Sequence, residues 1–140
     1  MNILRFLTPK SAVCYLYNDF TLRQALEKMF FHRHHAVPVI DRKGRYVGSV
    51  SDGDFLREVY EAGSGDLRML EKRRLKEIVR REINPAVKQD AALSDLLGRV
   101  KQNAFVPVED DRGSFIGIVT RRDIINYFID EYERNDDLEK

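Results

Sequence analysis

The chain has 140 residues, of which 43% are hydrophobic and 34% charged, with a net charge of +1. This length and composition predict one folded unit with its own core, and the balanced charge excludes a surface built to coat nucleic acid. The single cysteine, Cys14, excludes an intrachain disulfide, and no apolar run is long enough to cross a membrane. Residues 1–6 lack a signal-peptide pattern. We therefore expect a cytoplasmic protein with no nucleic-acid or membrane partner.

One sequence pattern occurs twice in the chain. Residues 36–54 recur as residues 105–123, and the residues that define the pattern return 69 positions later. These pairs are Pro38 and Pro107, Gly44 and Gly113, Gly48 and Gly117, and Asp54 and Asp123. Upstream, the apolar positions recur at a spacing of 71, so the first copy holds two extra residues, within the histidine-rich stretch 31–35. A repeat of this length predicts two units of the same structure.

The first copy predicts a helix, a hairpin and a second helix. Thr21 is a suitable N-cap, and apolar residues follow it at helical spacing. Two β-branched stretches, 37–40 and 46–50, lie on either side of a turn that contains Gly44, which predicts a hairpin. Ser51 then caps a further amphipathic helix.

The second copy predicts the same elements in the same order. Asp90 is the candidate N-cap of its first helix, strands over 105–108 and 115–119 form the hairpin, and Thr120 caps the last helix. With a lead-in strand ahead of each first helix, each half is β-α-β-β-α, which makes the fold class α/β (α+β). Neither half has much core alone, so we expect the halves to pack together closely.

The predicted boundaries follow from the repeat and from the local charge. The first repeat covers residues 8–62 and the second covers 79–134. Residues 63–78 form a partly helical linker within a basic stretch, and residues 135–140 form an acidic tail. We interpret the basic stretch as a solvated amphipathic segment rather than a binding patch.

With these elements in place, the chain resembles a tandem pair of CBS domains. The resemblance covers about residues 8–134 and depends on two ordered copies of the whole pattern. The second copy, at residues 103–110 and 117–122, is also similar to stand-alone bacterial CBS pairs that bind cyclic di-AMP. The resemblance implies pseudo-twofold packing of the two repeats and adenine nucleotides bound in clefts between them.

The tetrapeptide Thr120-Arg121-Arg122-Asp123 is the main candidate binding motif. Thr120 and Asp123 fit a helix cap, but basic residues in a first helical turn oppose the helix dipole. Two guanidinium groups at a helix N-terminus suit a phosphate, and the resemblance assigns the ribose hydroxyls to Asp123. The resemblance also assigns adenine to main-chain and apolar groups in the same cleft, which are those of Val87, Ala104, Phe105, Val106 and Pro107.

The first repeat offers a possible second cleft with different electrostatics. Ser51 and Asp54 keep the ribose pattern, but Asp52 and Gly53 replace the two arginines, and Asp52 would repel a phosphate. Simple capping explains these residues equally well, so this cleft is either empty or suited to a less charged adenosine compound. Its remaining candidate residues are Lys10, Val13, His35, Ala36, Val37 and Pro38.

Metal and enzyme functions have weak support in the sequence. His32, His34 and His35 are better explained as a polar helix end than as metal ligands, since no carboxylate or thiolate accompanies them. Glycine-rich nucleotide loops and a nucleophile elbow are absent, and Cys14 lies in a lead-in strand pattern where a packed thiol is common. We therefore predict no catalytic residue, no metal and no cofactor.

The function predicted from the sequence is a non-catalytic regulatory module that binds AMP, ADP, ATP or cyclic di-AMP and acts on a partner protein. The alternative is a structural or protein-interaction module whose clefts stay empty. We also expect a homodimer, because the two capped helices carry more apolar residues than one small fold can bury. These residues are Leu56, Val59, Tyr60, Ile125, Phe128 and Ile129.

Overall fold

The computed structural model of the chain describes residues 2–63 and 67–139, which form five α-helices and seven β-strands. The strands are β1 (Leu7–Pro9), β2 (Leu16–Tyr17), β3 (Ala36–Ile40), β4 (Tyr46–Ser51), β5 (Val87–Lys88), β6 (Phe105–Glu109) and β7 (Phe115–Thr120). The helices are α1 (Leu22–His32), α2 (Asp52–Ala62), α3 (Met69–Lys72), α4 (Leu93–Val100) and α5 (Arg121–Glu139). Short 3₁₀ turns cover Ile3–Phe6, Lys10–Ala12 and Leu75–Glu77.

The two repeats have the same topology, and the predicted fold class is confirmed. In the first repeat β2 runs parallel to β3, which pairs antiparallel with β4; in the second, β5 and β6 are parallel, and β6 and β7 antiparallel. Each unit is therefore β-α-β-β-α, as β2-α1-β3-β4-α2 and β5-α4-β6-β7-α5. The sheets are three-stranded, in the order β2-β3-β4, and four-stranded, in the order β1-β7-β6-β5.

The fourth strand of the larger sheet comes from the other end of the chain. Strand β1 precedes the first repeat, but it pairs antiparallel with β7 of the second, with Thr8 opposite Ile118. The reciprocal contact is shorter: Arg80, which precedes the second repeat, forms an antiparallel bridge with Ser49 of β4. Each repeat thus completes its sheet edge with backbone from the segment that leads into the other.

Three hydrophobic clusters hold the fold together. One lies under the first sheet around Leu16, Leu22 and Phe55, and a second lies under the second sheet around Phe6, Leu96 and Ile124. The third joins the sheets and is formed by Ile40, Tyr46 and Phe115, with Val13 packed against it. Because the third cluster takes residues from both repeats, burial of apolar surface couples the two halves.

The structure confirms most of the predicted caps and corrects one. Thr21 and Ser51 each accept a hydrogen bond from the backbone N–H three residues later, and Thr120 does the same for Asp123. The prediction of Asp90 as an N-cap is wrong, because α4 begins at Leu93. The residue directly before it is Ala92, which has no capping side chain. Residues 89–91 instead form a turn that hydrogen-bonds back to β5 and β6.

The linker and the tail also differ in detail from the expected division. The linker contains α3 and the 3₁₀ turn Leu75–Glu77, as a partly helical segment should, while its residues 64–66 lie outside the described part. Helix α5 continues to Glu139, so the acidic segment extends the last helix rather than leaving it at residue 134.

Candidate functional site

A cavity of about 250 Å³ lies between the two repeats, and we call it the Asp54 cleft. The N-terminus of α2 contributes Ser51 and Asp54, and the segment that leads into the second repeat contributes Arg80, Ile83 and Asn84. The rest of its wall comes from the β3–β4 hairpin and from the residues at the start of β6, and consists of Ala36, Ser49, Val50, Gln102, Asn103, Ala104 and Phe105. The cleft therefore takes residues from both repeats.

The carboxylate of Asp54 is held at the edge of this cleft and is 14% exposed. One oxygen accepts a hydrogen bond from the backbone N–H of Ser51 at 2.9 Å. The other lies 3.6 Å from Nε of Arg80 and 3.9 Å from a guanidinium nitrogen of Arg57. A fixed acceptor with a cation beside it can bind hydroxyl groups and leave the cation for an anion.

The neighbouring acidic residue, Asp52, does not line this cleft. Its carboxylate lies 2.9 Å from Nδ1 of His35, and the hydrogen bond to that imidazole lowers the pKa of Asp52 below its ordinary value. Both side chains border a separate apolar cavity beside Phe30. The expected repulsion of a phosphate by Asp52 is therefore reduced, because its carboxylate borders a different pocket.

Part of the wall of the Asp54 cleft is formed by Ala104, Phe105 and Asn84, whose side chain is buried. The amide nitrogen of Asn84 donates to the carbonyl oxygen of Phe105 at 3.1 Å. Phe105 itself is only half-buried, while its neighbours Val106 and Pro107 are buried in the sheet. The main chain and ring of Phe105 are thus the groups available to a planar ligand.

This arrangement agrees in part with the grouping expected from the sequence. Ala104 lines a cavity of about 600 Å³ with Thr120, Arg121 and Arg122, as expected. Ala104 and Phe105 also line the Asp54 cleft with Ser51 and Asp54, and Asp123 lines neither of these two cavities. The carboxylate of Asp123 accepts a hydrogen bond from the hydroxyl of Thr8 at 3.0 Å. The reason is the packing of the repeats, which brings the start of β6 next to the first turn of α2.

The two arginines of the second motif have separate environments. Nε of Arg121 donates to the carbonyl oxygen of Val100 at 2.8 Å, so its guanidinium caps the C-terminal end of α4. Arg121 therefore has a structural partner at this helix start, which the expectation of a phosphate did not include. The side chain of Arg122 is exposed and makes no hydrogen bond or ion pair with the residues that the structure describes.

The other predicted residues lie in or near the core. Val37, Pro38 and Val87 are buried, and Ala36 lines the Asp54 cleft. Val13 was expected in the lead-in strand of the first repeat, but Lys10 and Val13 both lie ahead of that strand, β2. Lys10 begins a 3₁₀ turn, with Nζ 5.4 Å from the centre of the Tyr15 ring, and Val13 ends that turn against the cluster between the sheets.

The histidine-rich stretch does not form a metal centre in the described residues. The rings of His32 and His34 stack with their centres 6.3 Å apart, and His35 pairs with Asp52. Among residues 2–63 and 67–139, no group of three or more histidine, cysteine or acidic side chains is placed to hold an ion. Within the same residues, no helix has the length and apolar character that crossing a membrane requires.

Of the residues that line the cleft, sequence reasoning missed seven; four of them adjoin predicted residues, and the other three are Arg80, Ile83 and Asn84. These three lie in an irregular segment with no periodicity, between a basic stretch and a two-residue strand. Only the structure shows that Thr8 and Arg80 pair with equivalent residues, Ile118 of β7 and Ser49 of β4.

Comparison with known proteins agrees with this architecture. The family model of the CBS domain matches residues 9–61 and 75–130, while a search of curated proteins finds no match. Among solved structures, CbpB in complex with c-di-AMP has a TM-score of 0.88 and 23% identity, over 98% of this chain and 90% of that one. A conserved protein of Geobacillus kaustophilus has a TM-score of 0.86 and 27% identity, over 94% and 98%. CBSX2 in complex with AMP has a TM-score of 0.76 and 22% identity, over 94% and 98%.

These matches coincide with the two structural repeats. Each matched range contains one β-α-β-β-α unit up to most of its last helix, and the remaining residues are mainly the first strand, the linker and the acidic end of α5. The chain belongs to the CBS domain family and carries two of its domains in tandem.

Proposed function

We propose that this chain is a non-catalytic regulatory module that binds an adenine nucleotide in the Asp54 cleft. The observation that carries the proposal is the cleft itself, where a partly buried carboxylate, an arginine and a hydrogen-bonding wall surround one cavity between the repeats. Two proteins of similar fold were solved with c-di-AMP and with AMP, which supports this class of ligand.

Each part of the nucleotide has a matching group in the cleft. The carboxylate of Asp54 is suited to accept hydrogen bonds from the ribose hydroxyls. Arg80 offers a positive charge to a phosphate, while the first three N–H groups of α2 are already bonded to His35, Asp52 and Ser51. The ring and main chain of Phe105 suit the base, which places all three contacts within one cavity.

The residues around Asp123 form a second candidate site, which we expect to be the weaker one. Asp123 already accepts a hydrogen bond from Thr8, and Arg121 is engaged with the end of α4. A ligand there would first have to displace these contacts, and Arg122 would be the available cation.

Calorimetric titration with AMP, ADP, ATP and cyclic di-AMP tests the proposal, using Asp123→Ala as the matched control for Asp54→Ala. We expect Asp54→Ala to weaken binding by about 10- to 100-fold, the value of a charge-assisted pair of hydrogen bonds. We expect Asp123→Ala to change it by less than about threefold, because Asp123 lies outside the cleft. If the wild-type chain binds none of the four nucleotides, the chain is an interaction module with empty clefts.

We further propose that the module is a cytoplasmic homodimer and that nucleotide binding changes its contact with a partner protein. Leu56 and Tyr60 of α2 are 70% and 84% exposed, and Ile125 and Phe128 of α5 are 50% and 46% exposed. Helix faces of this kind are unusual on a monomer, and a second copy is a suitable cover.

A further inference from the structure

The side chain of Asn84 is a buried polar group at the wall of the Asp54 cleft. It is 3% exposed, and no other polar residue in the described chain falls in the fully buried class. A buried amide is retained at a cost unless its hydrogen bonds are made, so its partners indicate what it does.

The orientation of this amide is fixed from both sides. A guanidinium nitrogen of Arg99 lies 3.3 Å from Oδ1 of Asn84, and the carbonyl oxygen of Phe105 lies 3.1 Å from Nδ2. Arginine can only donate and a carbonyl can only accept, so rotating the amide by half a turn would set two donors and two acceptors against each other. The NH₂ group of Asn84 therefore faces Phe105, and both residues line the cleft.

This amide and the Phe105 carbonyl both keep unused capacity. Nδ2 carries two hydrogens, and no second acceptor among residues 2–63 and 67–139 takes the other one. The Phe105 oxygen likewise has a second lone pair. These two atoms, which are hydrogen-bonded to each other at 3.1 Å, thus keep one donor hydrogen and one acceptor lone pair for a ligand.

This pair matches one purine edge and opposes another. Adenine carries an amino donor next to the N1 acceptor, so it can donate to Phe105 and accept from Asn84. Hypoxanthine and guanine carry a carbonyl acceptor next to an N1–H donor, which would place like groups together. An edge that leaves these polar groups unpaired should bind more weakly, by about the value of one hydrogen bond.

The other half of the molecule lacks this network, although its fold is the same. Tyr46 donates to the main-chain oxygen of Asn84 at 2.6 Å, and the residue 69 positions later is Phe115. Lys28, 71 positions before Arg99, donates instead to the main-chain oxygen of Tyr15 at 2.7 Å. Because the first repeat folds without a buried amide, the fold does not require one, and its presence points to the cleft.

We propose that Asn84, oriented by Arg99, is the specificity-determining residue of the Asp54 cleft and selects adenine over hypoxanthine and guanine nucleotides. Arg99 acts as a positioning residue, since it reaches the ligand only through the amide. This inference rests on the proposed function and adds to it the base that the site accepts.

The test compares the dissociation constants of AMP and IMP, which differ only at the edge in question. The wild-type chain should bind AMP about tenfold more tightly than IMP, the value of about one hydrogen bond. Asn84→Ala should remove this preference by weakening AMP alone. Arg99→Met should reduce it, because the amide is then free to rotate, while Arg99→Lys keeps a donor and should retain it. Lys28→Met, at the equivalent position of the first repeat, is the control and should leave the ratio unchanged.

The outcomes separate this inference from the proposed function. If the wild-type chain binds neither nucleotide, the proposed function fails. If it binds both equally, or if a folded Asn84→Ala variant keeps the preference for AMP, the role of Asn84 is wrong and nucleotide binding stands. Thermal melting identifies variants that do not fold, and if Asn84→Ala is one of them, the ratio measured with Arg99→Met decides.

Discussion

Gly117 is the position at which an added methyl group should most weaken the pairing of β1 with β7. A Cβ atom added there would lie 2.2 Å from the carbonyl oxygen of Thr8, whereas real Cβ contacts essentially never fall below 3.0 Å. The obstacle is backbone, which cannot rotate away as a side chain would. We therefore expect Gly117→Ala to push β1 off β7.

The cost follows from what β1 holds in place. Its pairing covers three residues, Leu7–Pro9, and the turn ahead of it buries Ile3 and Phe6, which are 1% and 4% exposed. Losing two or three backbone hydrogen bonds at about 1 kcal/mol each, with some loosening of these apolar side chains, gives a destabilisation of about 2–4 kcal/mol.

Two other glycines provide matched controls for Gly117. A Cβ on Gly48, the equivalent position of the first repeat, would lie 2.9 Å from the carbonyl oxygen of Arg80, so Gly48→Ala should cost less, about 1–2 kcal/mol. A Cβ on Gly98, within α4, would meet nothing within 4 Å, so Gly98→Ala should stabilise the chain by about 0.5–1 kcal/mol.

Urea unfolding followed by circular dichroism measures all three free energies of unfolding. Hydrogen exchange of the amides in β1 then shows whether the strand itself has loosened in Gly117→Ala. A Gly117→Ala variant as stable as the wild type, or a cost larger at Gly48 than at Gly117, would refute the argument from the close approach.

Three further predictions concern the caps, the titration of a buried phenol and the assembly. Arg121→Ala should lower the free energy of unfolding by about 1 kcal/mol through the lost cap on α4, and Arg122→Ala should change it by less than about 0.5 kcal/mol; equal effects in urea unfolding would contradict this. Burial raises the pKa of Tyr46 above its ordinary value of 10.0, so its contribution to stability is complete below pH 10 and is lost as the pH rises further. The stability advantage of the wild type over Tyr46→Phe should therefore shrink in urea unfolding above pH 10, and a constant difference up to pH 11 would oppose it. Ile125→Glu should convert the proposed homodimer to a monomer of 16.4 kDa in sedimentation equilibrium. A wild-type chain that is already monomeric at tens of micromolar would contradict the proposed homodimer.

Much of the fold could be predicted because its signals are local. The hairpins follow from β-branched stretches around a glycine turn. Thr21, Ser51 and Thr120 each start a helix by a cap that involves only the next three residues. Asp90 misled the prediction because an acidic residue suits a turn as well as a cap, and the three residues after it include two alanines, which carry no capping signal.

The clefts were harder to predict because their geometry depends on contacts distant in sequence. No local signal shows that β1 joins the sheet of the second repeat, or that Phe105 and Asp54 line one cavity. Arg121 shows the same limit from the other side: its charge at a helix start suggested a ligand, whereas the structure gives it the end of α4 as a partner.

The pairing of β1 with the sheet of the second repeat has a consequence for how a single repeat would assemble. In a single repeat of this kind, the lead-in segment would not pair with its own sheet. The edge of that sheet, at Ser49 or Ile118, would then lack a partner strand. A second copy of the repeat could pair with that edge. A lone repeat would then assemble as a dimer, and the fraction of dimer would depend on its concentration. Joining two repeats by the linker makes the same meeting intramolecular, at an effective concentration of roughly millimolar. It also allows the two lead-in segments to differ, and among the described residues only the segment before the second repeat holds a buried amide, that of Asn84.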